Sequence, residues 1–298
     1  MKSREYYKTQ IISYVVMSIA SLLVVLPFLL LVIASVTDND WATRNGFSFF
    51  PGKWSLDAYR YIGAQAAVIG KAYIMTILVT VLGTIAGTII TMLFAYALCQ
   101  KLPGMKLLNL MLVFTMLFNG GLVATYYSYV NLFHIKDTIW ALIIPNLLMN
   151  AFNVILVKNY YRNSIPPSLL EAARIDGASE FGIFRRIAFP LSKPIMATIG
   201  IMMAINYWND WQNGLYYLTA RNGSTYYTIQ IILNNINENI AMLAANASQM
   251  GSAAAQIQLP STTVRMAIAV IGILPILAIY PFFQKYFVKG ITLGGVKE

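Results

Sequence analysis

The chain holds one cysteine and one histidine in 298 residues, and only 11 acidic residues. With Cys99 alone, an internal disulfide is excluded, as is a thiolate-built metal centre. His134 has no cysteine or acidic pair beside it, which argues against a metal or catalytic role. No nucleophile–base pair stands out, so a membrane enzyme is the weakest functional class. No cofactor is expected on this chain. Charge is scarce altogether: charged residues make up 11%, against about 25% in a soluble domain. So few charges do not cover a water-exposed globule of this size. Hydrophobic residues reach 58%, and lipid has to cover what the charges do not. The net charge of +10 would suggest nucleic acid in a soluble protein. In a membrane protein it follows from Lys and Arg gathering in cytoplasmic loops.

Six stretches are long and apolar enough to cross a bilayer, which takes about 20 residues of helix. They are 11–36, 70–98, 106–124, 138–157, 194–219 and 263–287, and the fold class expected is all-α and polytopic. The fifth is the weakest, because Asn206, Asn209, Asp210 and Gln212 interrupt its outer half. The first run is too long for a signal-peptide core and lacks a small-residue cleavage pattern, so it is expected to remain as the first span. Placing the N-terminus inside puts Lys2, Arg4, Lys8, Lys101, Lys106, Lys158, Arg162, Arg174, Arg185, Arg186, Lys193, Lys285, Lys289 and Lys297 on the cytoplasmic side. The outer segments keep only Arg44, Lys53, Arg60, Lys136 and Arg221, with Lys71 and Arg265 at span ends. That asymmetry predicts both termini inside. The whole chain, 1–298, then forms one transmembrane domain with a long cytoplasmic loop at 158–193 and a tail at 288–298.

The loop at 158–193 is the most informative segment. Pro166 and Pro167 predict a fresh helix start, and Ser168 with Glu171 has the spacing of a capping box. Leu169, Ala172, Ala173 and Ile175 are small or apolar residues suited to a groove. Gly177 is the residue type that takes the left-handed position past a helix end. Ser179 can cap a second short helix carrying Phe181, Phe184 and Ile187, with Pro190 ending it. Physically this is either a knob for a cytosolic partner or an amphipathic linker lying at the membrane surface.

Glu171-Ala172-Ala173-Arg174-Ile175-Asp176-Gly177-Ala178-Ser179, followed by Phe184, Arg185, Ile187, Phe189 and Pro190, closely resembles the EAA loop of bacterial ABC-importer permeases. The tail from Gly290 to Lys297, with Gly294 and Gly295, is similar to that of the maltose-type permease subunit. Together with Trp208-Asn209-Asp210 and the six-span layout, the resemblance covers essentially the whole chain and is nearest the carbohydrate branch, including its complex-saccharide, lipoprotein-partnered subgroup. The outer segment 220–262 departs from it, being longer and richer in Asn and Gln. The resemblance implies an inner-membrane permease subunit of a bacterial sugar importer. Its implied partners are a second permease, a dimeric cytosolic ATPase that binds ATP and Mg, and an extracytoplasmic solute-binding protein. It also implies that Glu171, Ala172, Ala173, Asp176, Gly177 and Pro190 meet the ATPase, with Gly294 and Gly295 reaching the same interface. The chain itself has no phosphate-cradling G-x-x-x-x-G-K-[ST] loop: Gly70-Lys71 has Gln65, and Gly52-Lys53 has Phe47, where the first glycine belongs.

Asp210 is the one acidic residue well inside a predicted span, where a charge is costly and marks a wet cavity or a partner. Tyr207, Trp208 and Trp211 surround it. These aromatic rings with amides and a carboxylate suit a sugar path, and they equally suit an interfacial aromatic belt. Gly83 and Gly87, four apart, predict close helix packing. Pro27, Pro145, Pro275 and Pro281 are expected to kink or end helices, and Tyr126, Tyr127 and Tyr129 to anchor at the membrane surface. The Asn-rich 234–239 and Ala-rich 241–255 are expected to form polar helices outside the membrane. Two rival functions remain: an ABC permease for a non-sugar solute, and an ion-coupled carrier, against which the lack of an evident internal repeat speaks.

Overall fold

The computed structural model describes residues 4–100, 102–247 and 261–295. In chain order the helices are α1 (Arg4–Ser35), α2 (Asn39–Asn45), α3 (Asp57–Ala64), α4 (Ala66–Cys99), α5 (Met105–Leu117), α6 (Gly121–Tyr127), α7 (Trp140–Ile143) and α8 (Ala151–Ser164). They continue with α9 (Pro167–Ile175), α10 (Glu180–Ile183), α11 (Phe189–Leu191), α12 (Lys193–Asn209), α13 (Gln212–Tyr217), α14 (Ile229–Ala247) and α15 (Ser261–Gly295). Among the described residues the extended contact is a single bridge between Thr37 and Trp54. The all-helical class expected from composition is what is observed.

The chain divides into two compact units, Met1–Ile69 with Leu233–Pro275, and Gly70–Ile232 with Ile276–Glu298. In the first, α1 carries the apolar stretch Tyr7–Ser35, whose most apolar 18 residues have a mean hydropathy of 2.9 and no buried residue; burial begins only at Ala34 and Ser35. Such a surface is stable only against lipid or another apolar chain. Pro27 lies inside α1 without ending it. Past α1 the chain is pinned by polar contacts. The Ser35 hydroxyl meets the Tyr59 hydroxyl at 2.8 Å. Asp38 accepts from the Trp41 N–H at 3.1 Å, capping α2, and pairs with Lys53 at 3.0 Å. The Lys53 ammonium holds the Asp38 carboxyl below its ordinary range. Asn39 Oδ1 accepts from the Thr262 N–H at the start of α15. The predicted outer loop 37–69 is therefore a folded element with two short helices. Of the predicted polar helices in 220–262, α14 covers residues to Ala247; 248–255 lie outside the described residues.

The second unit is built on α4. Its residues Gly83 and Gly87 let α12 and the segment before α8 approach closely. A Cβ at Gly83 would run into the Tyr207 ring, and one at Gly87 would lie 2.8 Å from the Leu148 carbonyl oxygen. This is the close packing that small residues at four-residue spacing permit. One apolar cluster holds Met92, Tyr96, Val154, Val157, Tyr161, Phe184 and Ile199. A second holds Val79, Leu142, Met203, Tyr207 and Tyr217. Tyr126 stacks on Tyr217 with centroids 5.8 Å apart, and Tyr129 meets it edge-on at 6.0 Å. Those two tyrosines therefore pack inward, while Tyr127 is exposed.

Predicted rods and observed helices differ in instructive ways. Among the described residues, two helices are uninterrupted and apolar enough to cross a membrane, Tyr7–Ser35 and Ala66–Cys99. The third predicted span bends by 118° between α5 and the segment Gly121–Leu132. Gly121 has φ +82° there, and Asn119 Oδ1 accepts its N–H. The fourth is broken. Pro145 cannot donate to a helix ladder, Asn146 takes φ +59°, and Asn150 caps a new helix through the Phe152 N–H. In the fifth, α12 stops at Asn209 and meets Glu180–Leu191 at 80°. The sixth becomes α15, whose helical backbone continues past Pro275 and Pro281 through the predicted tail as far as Gly295.

A break inside an apolar unit leaves backbone groups that water does not reach, and each needs a partner. Tyr207 donates to the Ile143 carbonyl at 2.8 Å, and Asn213 Nδ2 to the Pro145 carbonyl at 3.0 Å. Asp137, at φ +57°, accepts from both the N–H and the hydroxyl of Thr219. Two outcomes follow. Gly83→Ala forces a methyl against the Tyr207 ring and is expected to lower stability by about 1–3 kcal/mol. Tyr207→Phe leaves the Ile143 carbonyl unpaired, for a loss of similar size, about 1–3 kcal/mol. Thermal unfolding of each variant in detergent checks both; unchanged midpoints would contradict the packing described.

Candidate functional site

The exposed surface at α9 and α10 is built by three local devices. Helix α9 starts with Pro167 at its first turn, where a missing N–H costs nothing. The predicted capping box is corrected here: the residue before α9 is Pro166, and no side chain caps it. With Pro167 setting the helix start, Ser168 falls inside the first turn, two positions too late to cap. The far end matches the expectation. Gly177 has φ +78°, its N–H bonds the Arg174 carbonyl at 3.0 Å, and the Ala178 N–H bonds the Ala173 carbonyl at 3.0 Å. This is the double hydrogen bond that closes a helix on a left-handed glycine. Ser179 then caps α10 by accepting from the Gly182 N–H at 3.2 Å. Pro190 does not end the second helix as predicted. The chain stays helical from Glu180 through the wide-turn segment Phe184–Ala188 to Leu191 and turns at Ser192, two residues past the proline.

Burial sorts the residues of this surface. Phe184 is buried between Tyr96 at 5.3 Å and Phe189 at 5.8 Å, in a wide-turn segment from Phe184 to Ala188. Glu171, Ala172, Asp176, Gly177 and Pro190 are exposed, and Ala173 is half-buried. Ile175 is 86% and Phe181 66% exposed, so the helix pair presents apolar side chains to solvent.

A polar tie, which sequence reasoning missed, holds the pair to the end of α4. Arg174 Nε donates to Glu180 Oε1 at 2.7 Å, and Arg174 Nη2 to Gln100 Oε1 at 2.7 Å. The Tyr96 hydroxyl donates to Glu180 Oε2 at 2.9 Å. The Arg174 guanidinium holds the Glu180 carboxyl below its ordinary 4.5. A depressed carboxyl stabilises the fold above its unfolded pKa, and that contribution is lost as pH falls through the folded value. The tie is therefore intact at neutral pH and opens only in acid. Both ion-pair partners are well exposed, so the pair alone is worth about 0–1 kcal/mol. Its use is geometric, because a guanidinium fork fixes direction. The sequence did carry a signal: Tyr96 and Gln100 lie one turn apart at a span end, and Arg174 and Glu180 flank a glycine turn with opposite charge. A cleft of about 540 Å3 lies beneath, lined by Tyr96, Gln100, Tyr161, Arg162, Glu171, Arg174 and Glu180 among others.

The four residues predicted to line a sugar path separate. Tyr207 and Trp208 turn into the core, at 2% and 6% exposure. Asp210 ends α12 and accepts from the Asn213 N–H at 3.3 Å, half-buried, while Trp211 is exposed. Asn206, Asn209 and Gln212 are exposed beside them. Gly294 and Gly295 lie in the helical backbone of α15. Among the described residues no group of three or more His, Cys, Asp or Glu side chains comes together.

Residues 93–293 match the family described as binding-protein-dependent transport system inner membrane component. The chain is 38% identical over 278 residues to the polygalacturonan/rhamnogalacturonan transport system permease protein YtcP of Bacillus subtilis, covering 93% of this chain and 94% of that protein. It is 37% identical over 274 residues to protein LplC of the same organism, covering 92% and 89%. Among solved structures, a bacterial ABC transporter involved in the import of the acidic polysaccharide alginate has a chain with TM-score 0.77 and 28% identity, covering 96% of this chain and 99% of that one. With its exposed EAA-type helix pair and a family match over two-thirds of its length, the chain belongs to the inner membrane components of binding-protein-dependent transport systems.

Proposed function

We propose that this chain is one permease subunit of an ABC importer that brings a saccharide into the cytoplasm, driven by a separate ATPase seated on the α9–α10 surface. The observation that carries the reading is that surface. Glu171, Ile175 and Phe181 stand exposed on helices joined by a hydrogen-bonded glycine turn and tied to the end of α4 through Arg174, as a knob that fills a socket requires. Exposed apolar side chains rimmed by charge mark an interaction site. The proposed arrangement is six crossings with both termini in the cytoplasm, a second permease beside this one, and a solute-binding protein at the outer face. ATP and Mg belong to the ATPase. The relatives' cargoes, polygalacturonan/rhamnogalacturonan and alginate, place oligosaccharides first among the solutes to test. On the path itself, Asp210 and Trp211 with Asn206 and Asn209 are the candidates. Tyr207 and Trp208 support them from within.

Glu171→Lys is expected to leave the protein folded and inserted while uptake of labelled oligosaccharide falls to background and ATP hydrolysis no longer follows solute. Wild-type uptake by that variant would overturn the assignment of Glu171. For orientation, a cysteine placed at Ser179 in a Cys99→Ser background is expected to react with a membrane-impermeant maleimide only in inside-out vesicles. Labelling from the outer face would overturn the topology.

A further inference from the structure

Helix α9 has no buried residue of its own. Leu170 and Ala173 are only partly buried against the apolar cluster, and nothing lies within 4 Å of the Cβ position at Gly177. The cleft of about 540 Å3 occupies the space where α9 would otherwise pack against the end of α4. A force applied to α9 thus has two routes into the rest of the unit. One follows the backbone around the Gly177 turn to α10 and the buried Phe184. The other crosses the cleft directly through Arg174 to Gln100 and, by way of Glu180, to Tyr96. The first route contains an open turn, whereas the second is a forked set of short hydrogen bonds.

We propose that Glu180, Gln100 and Tyr96 form a latch on Arg174 that makes α9 move as one body with the end of α4. The inference rests on the reading of this chain as an ATPase-driven permease and adds positioning residues to it. Glu180 is not the docking group. It orients Arg174, and the latch converts displacement of α9 into displacement of α4. A bond to Gln100 alone would leave the guanidinium free to swing about a single contact. Glu180 takes the other edge of the fork, and the Tyr96 hydroxyl in turn fixes the carboxylate. The ring contact between Tyr96 and Phe184 uses none of the latch's polar atoms, so the latch can be removed without touching it.

The test uses the assembled complex of both permeases, the ATPase and the binding protein in proteoliposomes. Glu180→Ala is expected to cut solute imported per ATP hydrolysed by roughly tenfold, with the ATPase still co-purifying at the wild-type ratio. Tyr96→Phe, which removes one hydroxyl and cannot plausibly unfold the unit, is expected to lower the same ratio less. Arg174→Glu combined with Glu180→Arg is expected to recover much of what Arg174→Glu alone loses. A wild-type import-to-hydrolysis ratio in Glu180→Ala, or loss of the ATPase from that variant's complex, would overturn the latch. A wild-type chain that holds no ATPase at all would instead overturn the transporter reading, so the two failures are distinguishable.

Discussion

The structure depends on one constraint above others: where the helical ladder is interrupted away from water, the freed backbone groups must find partners in the protein itself. The break after α7 exposes the carbonyls of Ile143 and Pro145. Tyr207 and Asn213, on either side of the end of α12, supply the donors. That requirement explains why residues expected to face a solute are turned inward. Tyr207 sits where it does because Gly83 has no side chain to exclude its ring and because Ile143 needs its hydroxyl. The same segment then bears two duties on opposite faces: structural closure inside, and the exposed Asn206, Asn209 and Trp211 outside.

What the sequence revealed and what it hid divide along a physical line. Membrane embedding was legible because it follows from totals: too few charges, too many apolar residues. The glycine turn at Gly177 and the cap at Ser179 were legible because each is decided by a residue and its immediate neighbours. The Gly83 and Gly87 contact was legible because four-residue spacing puts both on one helix face. The break after α7 was legible from Pro145 itself, whereas the bend at Asn119–Gly121 was harder, since hydropathy averages over a window and does not register two or three residues that leave the ladder. The Asp137 clamp on Thr219 lay out of reach, as its partners are far apart in the chain and neither is unusual where it stands.

Ser168 shows how a local rule fails when a neighbour is stronger. The serine and Glu171 have the spacing of a capping box, but Pro167 is already committed to a helical φ and has no N–H to be capped. The helix starts two residues earlier than the box requires. Both prolines thus secure the start of α9 without any side-chain hydrogen bond. Glu171 is left unconstrained by a cap and is free to face outward.

The α9–α10 pair is consequently divided by chemistry into a held side and an offered side. The held side uses an aromatic wedge at Phe184 for cohesion and the Arg174 fork for direction. Apolar contact alone resists separation but tolerates sliding, whereas a planar fork with two acceptors resists rotation. The offered side carries Ile175 and Phe181 largely exposed, and apolar side chains so exposed raise the free energy of the isolated subunit relative to a complex that covers them. Burying two such side chains would contribute roughly 1.5–3 kcal/mol each, more than the exposed Arg174–Glu180 pair does by itself. Affinity for whatever covers the pair therefore comes from its apolar tips, while the polar tie beneath decides how far a push on those tips is carried inward.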